Sequence, residues 1–381
     1  RELTVDAVKE QSKTYDGTTA ADASKFHAAL NNVVAGEENS VKATASGATY
    51  NSKDVATAGT VGYTGVALAG AEAGNYTLAA TTAQGAGTIT RRELTVDAVK
   101  EQSKTYDGTT AADASQFHAT IGNVVAGEEN LVTATATGAA YNDKNVARAN
   151  AVSYTGVALR GTGAGNYTVA TTAEGRGTIT QRALTLGAVE SQSKTYDGNT
   201  SADASRFQAA LGNLVAGEEN SVTVTASGAT YNNKNVAGAN KVSYTGVALQ
   251  GTGAGNYSLA ATTAQGAGTI TKRTLTVDTV AAQTKTYDGT TAADAAAFRA
   301  TLGNLVAGEE SSVAATAAGA TYNDKNVAGA NKVSYTGVAL TGTGAANYAI
   351  SNTTEGQGRI TPKQLNLALT GGARFDKTYD G

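Results

Sequence analysis

The sequence predicts an all-β chain, mainly antiparallel, built from tandem sandwich domains, and three observations carry that prediction. The first is a repeat. The string Lys-Thr-Tyr-Asp-Gly places its tyrosine at Tyr15, Tyr106, Tyr196, Tyr287 and Tyr379, at intervals of 91, 90, 91 and 92 residues. The second is the size of the repeat. A unit of roughly 90 residues is long enough to close a core of its own, unlike solenoid repeats of about 20–50 residues. The third is the local pattern: short alternating runs, six or seven per repeat, separated by Gly, Asn and Asp turns.

Each element of the first repeat follows from its residues. Leu3, Val5 and Ala7 alternate with Thr4 and Asp6, the period of two that marks a half-buried strand. Asp16-Gly17 makes a turn, because Gly accepts a positive φ and Asp bonds its own backbone. From Ala20 to Leu30 the chain is Ala-rich, and Phe26 and Leu30 stand four apart, as on one helical face. Asp22 or Ser24 is placed to cap a short helix or helical turn there. Gly36-Glu37-Glu38-Asn39 reads as a polar turn, and Val41 to Ala45 as a strand broken by Gly47. Ala48 to Asn51 leads into a turn at 51–54. Val61 to Leu68 is a further strand, with Gly65 marking a bulge or a close approach. Gly74-Asn75 turns the chain into Tyr76-Thr77-Leu78, and Gly87-Thr88-Ile89-Thr90 closes the repeat.

The repeats run 1–91, 92–181, 182–272 and 273–362, with 363–381 opening a fifth. All 17 Tyr occupy repeat-fixed positions, which in the first repeat are Tyr15, Tyr50, Tyr63 and Tyr76. Four of the five Phe (Phe26, Phe117, Phe207 and Phe298) share another. Small domains need large buried side chains, so these aromatics read as core anchors rather than ligand contacts. Each repeat is expected to fold on its own core. At the seams, Thr88-Ile89-Thr90-Arg91-Arg92-Glu93-Leu94-Thr95-Val96 contains none of the Gly/Ser composition of a flexible tether. Strand is expected to run into strand, giving a stiff elongated rod that four repeats extend to on the order of 150 Å.

Composition narrows the classes of function. Charged residues make up 16% of the chain and the net charge is −3, so no basic surface for nucleic acid is expected. The absence of Cys excludes disulfides and thiolate metal sites. No run approaches the roughly 18 apolar residues of a membrane span, so no transmembrane segment is expected. With no Met anywhere, Arg1 is read as lying inside a longer protein, and Pro362 is the one proline.

Four motifs recur in a fixed order. They are Lys13-Thr14-Tyr15-Asp16-Gly17-Thr18-Thr19, Tyr63-Thr64-Gly65-Val66-Ala67-Leu68, Ala73-Gly74-Asn75-Tyr76-Thr77-Leu78 and Gly87-Thr88-Ile89-Thr90. In that order they resemble the YDG-type repeats, related to the MBG-type repeats, of bacterial filamentous-haemagglutinin-like adhesins secreted by a two-partner route. The resemblance covers essentially the whole chain. It implies an Ig-like or E-set-like sandwich and an extracellular location, secreted or at the bacterial cell surface. The Ala-rich insert around Phe26 departs from the family pattern, in which a shorter strand-like stretch is expected. The structural motif is Tyr15-Asp16-Gly17 and its copies Tyr106-Asp107-Gly108, Tyr196-Asp197-Gly198 and Tyr287-Asp288-Gly289.

No catalytic set repeats or stands alone, so the chain is not read as an enzyme. His27 and His118 share a position occupied by Gln208 and Arg299 in the later repeats, and read as exposed polar residues. Glu37, Glu38, Glu128 and Glu129 are the weak Ca²⁺ candidates. No alternating Asp-x-Asp loop accompanies them, and a solvated turn is the stronger reading. No other metal and no cofactor is expected. Asn75, Asn166 and Asn256 fit an N-glycosylation pattern that Asn347-Tyr348-Ala349 breaks, which points to a turn-forming Asn. Lys13, Lys104, Lys194 and Lys285 could form isopeptide bonds, although salt-bridged lysines are commoner. Gly161-Thr162-Gly163-Ala164-Gly165 precedes a strand, not the helix that a phosphate cradle requires. The Thr133–Thr137 run reads as ordinary solvent-facing strand rather than an ice- or glycan-binding face.

The expected function is a stalk of an adhesin that projects a tip or joins a matrix fibre, with neighbouring repeats of the same chain as partners. The alternative is a repeated module in which each unit binds glycan, host or matrix, or another adhesin chain.

Overall fold

The structure is a computed structural model that describes residues 1–367 and 378–380. The fifth Lys-Thr-Tyr-Asp-Gly motif therefore lies partly outside the described residues. Among the described residues every regular element is a strand or a single 3-10 turn, so the chain is all-β.

The first repeat shows how the sandwich is built. Its strands are β1 (Glu2–Val8), β2 (Gln11–Thr14), β3 (Ala28–Asn31), β4 (Lys42–Thr44), β5 (Gly47–Tyr50), β6 (Thr60–Thr64), β7 (Ala67–Ala69), β8 (Thr77–Leu78) and β9 (Thr82–Thr90). One layer holds the order β3-β1-β8 together with the pair β4-β7, and the other holds β2-β9-β6-β5. Most pairs are antiparallel, as expected. Two are parallel: β1 with β8, and β2 with β9, where Gln11 faces Gly87 and Thr14 faces Thr90. These arise because the opening run is not one strand. It leaves the first layer after Val8 and re-enters the second at Gln11, alongside the closing strand of its own repeat.

Three local expectations are corrected. The alternation Leu3, Val5, Ala7 breaks at a register shift between Val5 and Val8, which turns Val8 inward and leaves Ala7 exposed. Phe26 and Leu30 do not share a helical face. The helical element is the 3-10 turn Ala23–Lys25, capped by the Asp22 carboxylate, which accepts from Ser24 N at 2.9 Å. Lys9 N then donates to His27 O at 2.8 Å and draws the chain into β3, where Leu30 sits. Phe26 instead packs on Tyr63, with ring centroids 4.6 Å apart. Gly47 does not end a strand but begins β5. Gly65 is the expected close approach: at φ 59 it joins β6 to β7, and a Cβ there would strike the Ser46 hydroxyl.

The chain divides into two compact units, residues 1–182 with 255–258, and 183–254 with 259 onward. Within the first, Tyr15, Tyr50, Tyr63, Phe26, Val61 and Ile89 of repeat one share a single apolar cluster with Val132 and Tyr167 of repeat two. Within the second, Tyr196, Tyr231, Tyr244 and Phe207 share one with Val313 and Tyr348. In these two clusters buried apolar surface runs on from one repeat into the next, whereas Phe298, Tyr322, Val333, Tyr335 and Ile360 of the fourth repeat form a cluster with residues of that repeat alone. At the seam, β9 ends at Thr90 and the next strand begins at Arg92, with one residue between; 271–273 repeats this.

Candidate functional site

The Lys-Thr-Tyr-Asp-Gly-Thr-Thr motif is a strand end followed by a tight turn, and each polar residue in it has a defined task. Tyr15 N donates to Thr90 O at 2.9 Å, continuing the parallel pairing of β2 with β9. The Asp16 carboxylate accepts Thr18 N at 2.9 Å and Lys13 Nζ at 2.8 Å. That ammonium also donates to Thr18 O at 2.8 Å and Ala20 O at 2.9 Å, and it lies 5.3 Å from the centre of the Tyr50 ring. Partial burial would raise the Asp16 pKa, but hydrogen bonds from Lys13 and Thr18 outweigh it and hold the carboxyl below its usual range. Lys104–Asp107, Lys194–Asp197 and Lys285–Asp288 repeat the pair at 2.7, 2.6 and 2.9 Å. In the last, the hydrogen bond from Lys285 leads the effects that bring Asp288 to about 2. These lysines are therefore salt-bridged, and they pin the turn that positions the tyrosine.

Tyr15 reaches out of its own repeat. Its hydroxyl donates to Glu128 Oε1 of repeat two at 2.7 Å, and Tyr167 donates to Glu128 Oε2 at 2.7 Å. The two rings meet edge to face, centroids 5.2 Å apart at 79°. Lys53 Nζ adds an ion pair to Glu128 Oε1 at 3.1 Å. Beside this cluster, Asn166 Oδ1 accepts Val55 N at 2.9 Å and its Nδ2 donates to Asp54 Oδ1 at 2.9 Å. Arg91 Nε reaches Gly165 O at 3.0 Å. The seam residue Arg92 instead braces its own repeat, donating to Asn123 O and Oδ1 at 2.7 and 2.6 Å.

The second unit repeats the junction. Tyr196 and Tyr348 donate to Glu309 Oε1 and Oε2, each at 2.6 Å, and their rings lie 5.3 Å apart at 80°. Val236 N donates to Asn347 Oδ1 at 2.9 Å, and Asn347 Nδ2 to Asn235 Oδ1 at 3.0 Å. Within the first unit, residues 255–258 form a further instance. Tyr257 packs on Tyr106 at 5.3 Å, and Asn256 joins Val146 N and Asn145 Oδ1, both at 2.9 Å.

The electrostatics follow from burial and donor count. Burial would push the Glu128 carboxyl up, but hydrogen bonds from Tyr167, Tyr15 and Lys53 hold it below its ordinary value. Burial first, and then donation to Glu128, raises both tyrosines, Tyr167 to about 12. The cluster keeps a charged carboxylate and two neutral phenols together.

The structure places the other sequence candidates as follows. Glu128 is not in a solvated turn: it is buried at 8% exposure with both oxygens engaged. Glu129 accepts from Gly127 N, Glu38 from Gly36 N, and Glu37 from Tyr76 OH. Among the described residues no group of three or more His, Cys, Asp or Glu is placed to hold a metal ion. Asn166 and Asn256 are buried with Nδ2 engaged, so glycan at either would open the junction. Tyr15, Tyr50, Tyr63 and Tyr76 are all buried. His27 and His118 are exposed, each ring nitrogen near a backbone carbonyl two residues back. Gly161 to Gly165 leads into the 3-10 turn Ala164–Asn166 that presents Asn166, and Thr133 and Thr135 face solvent on a three-residue strand. Sequence reasoning missed the junction itself. The signal available was the first Glu of each pair, present as Glu37, Glu128, Glu218 and Glu309, always with the Asn-Tyr about 38 residues on.

Four segments, residues 1–83, 90–174, 180–264 and 271–355, match the family model of the YDG domain. No curated protein sequence matches the chain. Among solved structures, the chain is similar to the protocadherin γB4 extracellular domain, at 8% identity and a TM-score of 0.27, covering 93% of this chain and 67% of that one. It is also similar to Drosophila N-cadherin EC1-4, at 10% identity and a TM-score of 0.23 over 95% and 100% of the two chains. Sidekick-1 immunoglobulin domains 1–5 give 9% identity and a TM-score of 0.25 over 93% and 79%.

Proposed function

The chain belongs to the YDG domain family, and from that premise we propose that it is the repetitive stalk of a large bacterial adhesin, secreted or held at the cell surface. It projects an adhesive tip or contributes to an extracellular matrix fibre, and it carries out no chemical reaction. The observation behind this reading is the junction, in which a carboxylate of one repeat, buried at Glu128 and half-buried at Glu309, accepts from a tyrosine of the repeat before it. A spacer needs successive domains that resist hinging, and a desolvated, hydrogen-bonded joint resists it better than a Gly/Ser tether. The alternative, a binding module repeated four times, calls for the same aromatic exposed in each copy, whereas the tyrosines of the first three repeats are buried.

Small-angle scattering of the whole chain tests the stalk reading. The expected profile is that of a stiff, extended particle that becomes more compact and heterogeneous when Glu128 and Glu309 are both changed to Ala. A broad, bent ensemble for the unmodified chain would overturn the proposal. Glycan-array binding by the chain would favour the binding module instead.

A further inference from the structure

Two neighbouring strands near the start and the end of each repeat run the same way. The residues of β2 pair in parallel with the last residues of β9, Gln11 facing Gly87 and Thr14 facing Thr90. The ladder recurs as 102–105 on 177–180, 192–195 on 268–271 and 283–286 on 358–361. The chain enters β2 at Gln11 and leaves β9 at Thr90, and in a parallel pair those two points lie at opposite ends. Tension along the chain therefore drives β2 and β9 past each other along their length. All bonds of the ladder share that load, and none gives before its neighbours. An antiparallel hairpin pulled from its open end, by contrast, loses its bonds one at a time. β1, which the load meets first, is also parallel to one partner, β8.

We propose that the ladder of β2 with β9, closed by the Lys-Thr-Tyr-Asp-Gly turn, is a mechanical clamp through which each repeat resists tension along the chain. Three features of the motif serve that task. Tyr15 N donates to Thr90 O at 2.9 Å, which adds a bond where load leaves the repeat, and the bond recurs at that length in all four repeats. Thr90 Oγ1 donates to Lys13 O at 3.3 Å, a side-chain bond across the same pair, again present in all four. Lys13 Nζ ties the strand to Asp16 and Thr18 O in the turn that follows, so β2 is held against fraying from its Tyr15 end. The Lys-Asp pair is repeated in the other three motifs. On its other flank β9 is held by β6 from Thr82 to Ala86, which anchors the clamp inside the sheet β2-β9-β6-β5. The clamp is a property of each repeat's own topology and stands whether or not the chain is a stalk.

Single-molecule force spectroscopy of the whole chain, pulled through its two ends, tests it. The expected trace has one abrupt rupture per complete repeat, each lengthening the chain by roughly 250–300 Å, the reach of about 90 residues less their folded span. Two variants of the first repeat separate a clamp from general stability, with the other repeats as internal references. Gly87 N donates to Gly59 O, so by alternation Thr88 N faces β2; Tyr50 N donates to Thr19 O, so Thr49 N faces β6. Both threonines are exposed. Thr88→Pro and Thr49→Pro each remove one ladder hydrogen bond, the first inside the clamp and the second at the β5 edge of the same sheet. Comparable losses in urea midpoint are expected, whereas Thr88→Pro alone is expected to bring one rupture to a several-fold lower force, because forced unfolding follows the unfolding barrier rather than the equilibrium. A trace with one rupture missing means that Thr88→Pro has kept the repeat from folding. Thr90→Val then decides, since it deletes only the bond from Oγ1 and is expected to lower the same rupture by a smaller step. Ruptures that the clamp variants leave unmoved, or that Thr49→Pro lowers equally, would sink the proposal, as would gradual lengthening of the unmodified chain in place of abrupt ruptures.

Discussion

The hydroxyl of Tyr15 donates to Glu128 Oε1 at 2.7 Å across 113 residues of sequence, so the motif that defines one repeat is completed by the next. Glu128→Ala would leave the Tyr15 and Tyr167 hydroxyls without an acceptor in a buried site. An orphaned buried polar group costs roughly 1–3 kcal/mol, and the expected loss here is about 2–4 kcal/mol. Urea unfolding followed by circular dichroism should show part of the transition moving to lower denaturant. Glu37→Ala, at a half-buried site where Tyr76 is the partner, is the matched control, with a smaller shift of about 0.5–1 kcal/mol expected.

The same cluster sets two pH limits. Glu128 is held below the ordinary 4.5, so its contribution is complete above that pH and is lost as pH falls through its depressed folded value. Tyr167 is raised from 10.0 to about 12, so its contribution is complete below about pH 10 and disappears as pH climbs toward 12. Tyrosinate absorbance during an alkaline titration should show a late-ionising class that shrinks in Tyr15→Phe and Tyr167→Phe. A titration in which those variants leave that class unchanged would contradict the assignment.

The sandwich was legible in the sequence because its causes are local. Alternation, turn chemistry and aromatics at fixed intervals all act within a few residues, and they placed most strands and the burial of Tyr50 and Tyr63. Ala7 misled because a register shift is set by pairing with β3, which spacing does not encode. The junction was hidden for a different reason. When every repeat carries the same residues, a contact between Tyr15 and Glu128 leaves the same periodic trace as one between Tyr15 and Glu37. Tandem identity conceals which copy supplies the partner.

Lys13 is the brace of the motif turn, with Asp16, Thr18 O and Ala20 O around its ammonium and its side chain 16% exposed. Lys13→Met should keep the packing on Tyr50 but remove the hydrogen bonds to Asp16, Thr18 O and Ala20 O, all of them open to water, at about 0.5–1.5 kcal/mol. Lys13→Arg is not expected to restore stability, because a planar fork cannot point three donors at acceptors grouped around a compact ammonium. Thermal melts, together with protease cutting at residues 16–20, would report both effects. Full rescue by Arg would show that charge alone suffices there.

Gly17 and Gly289 separate the backbone demand of the motif from the demand of the junction. Their conformations are nearly equal, φ 77 and φ 80, so replacing either by Ala forces a side chain into the left-handed region at about 1 kcal/mol. Only their surroundings differ. A Cβ on Gly17 would lie 2.8 Å from Val125 Cγ1, whereas one on Gly289 meets nothing within 4 Å. Gly17→Ala should therefore destabilise more than Gly289→Ala, by the roughly 1–3 kcal/mol typical of overpacking. The difference in urea midpoint between the two variants measures how tightly repeat two presses on repeat one. Equal midpoints would mean that Val125 does not seat on the Gly17 turn in solution, and the junction would then be looser than its hydrogen bonds imply.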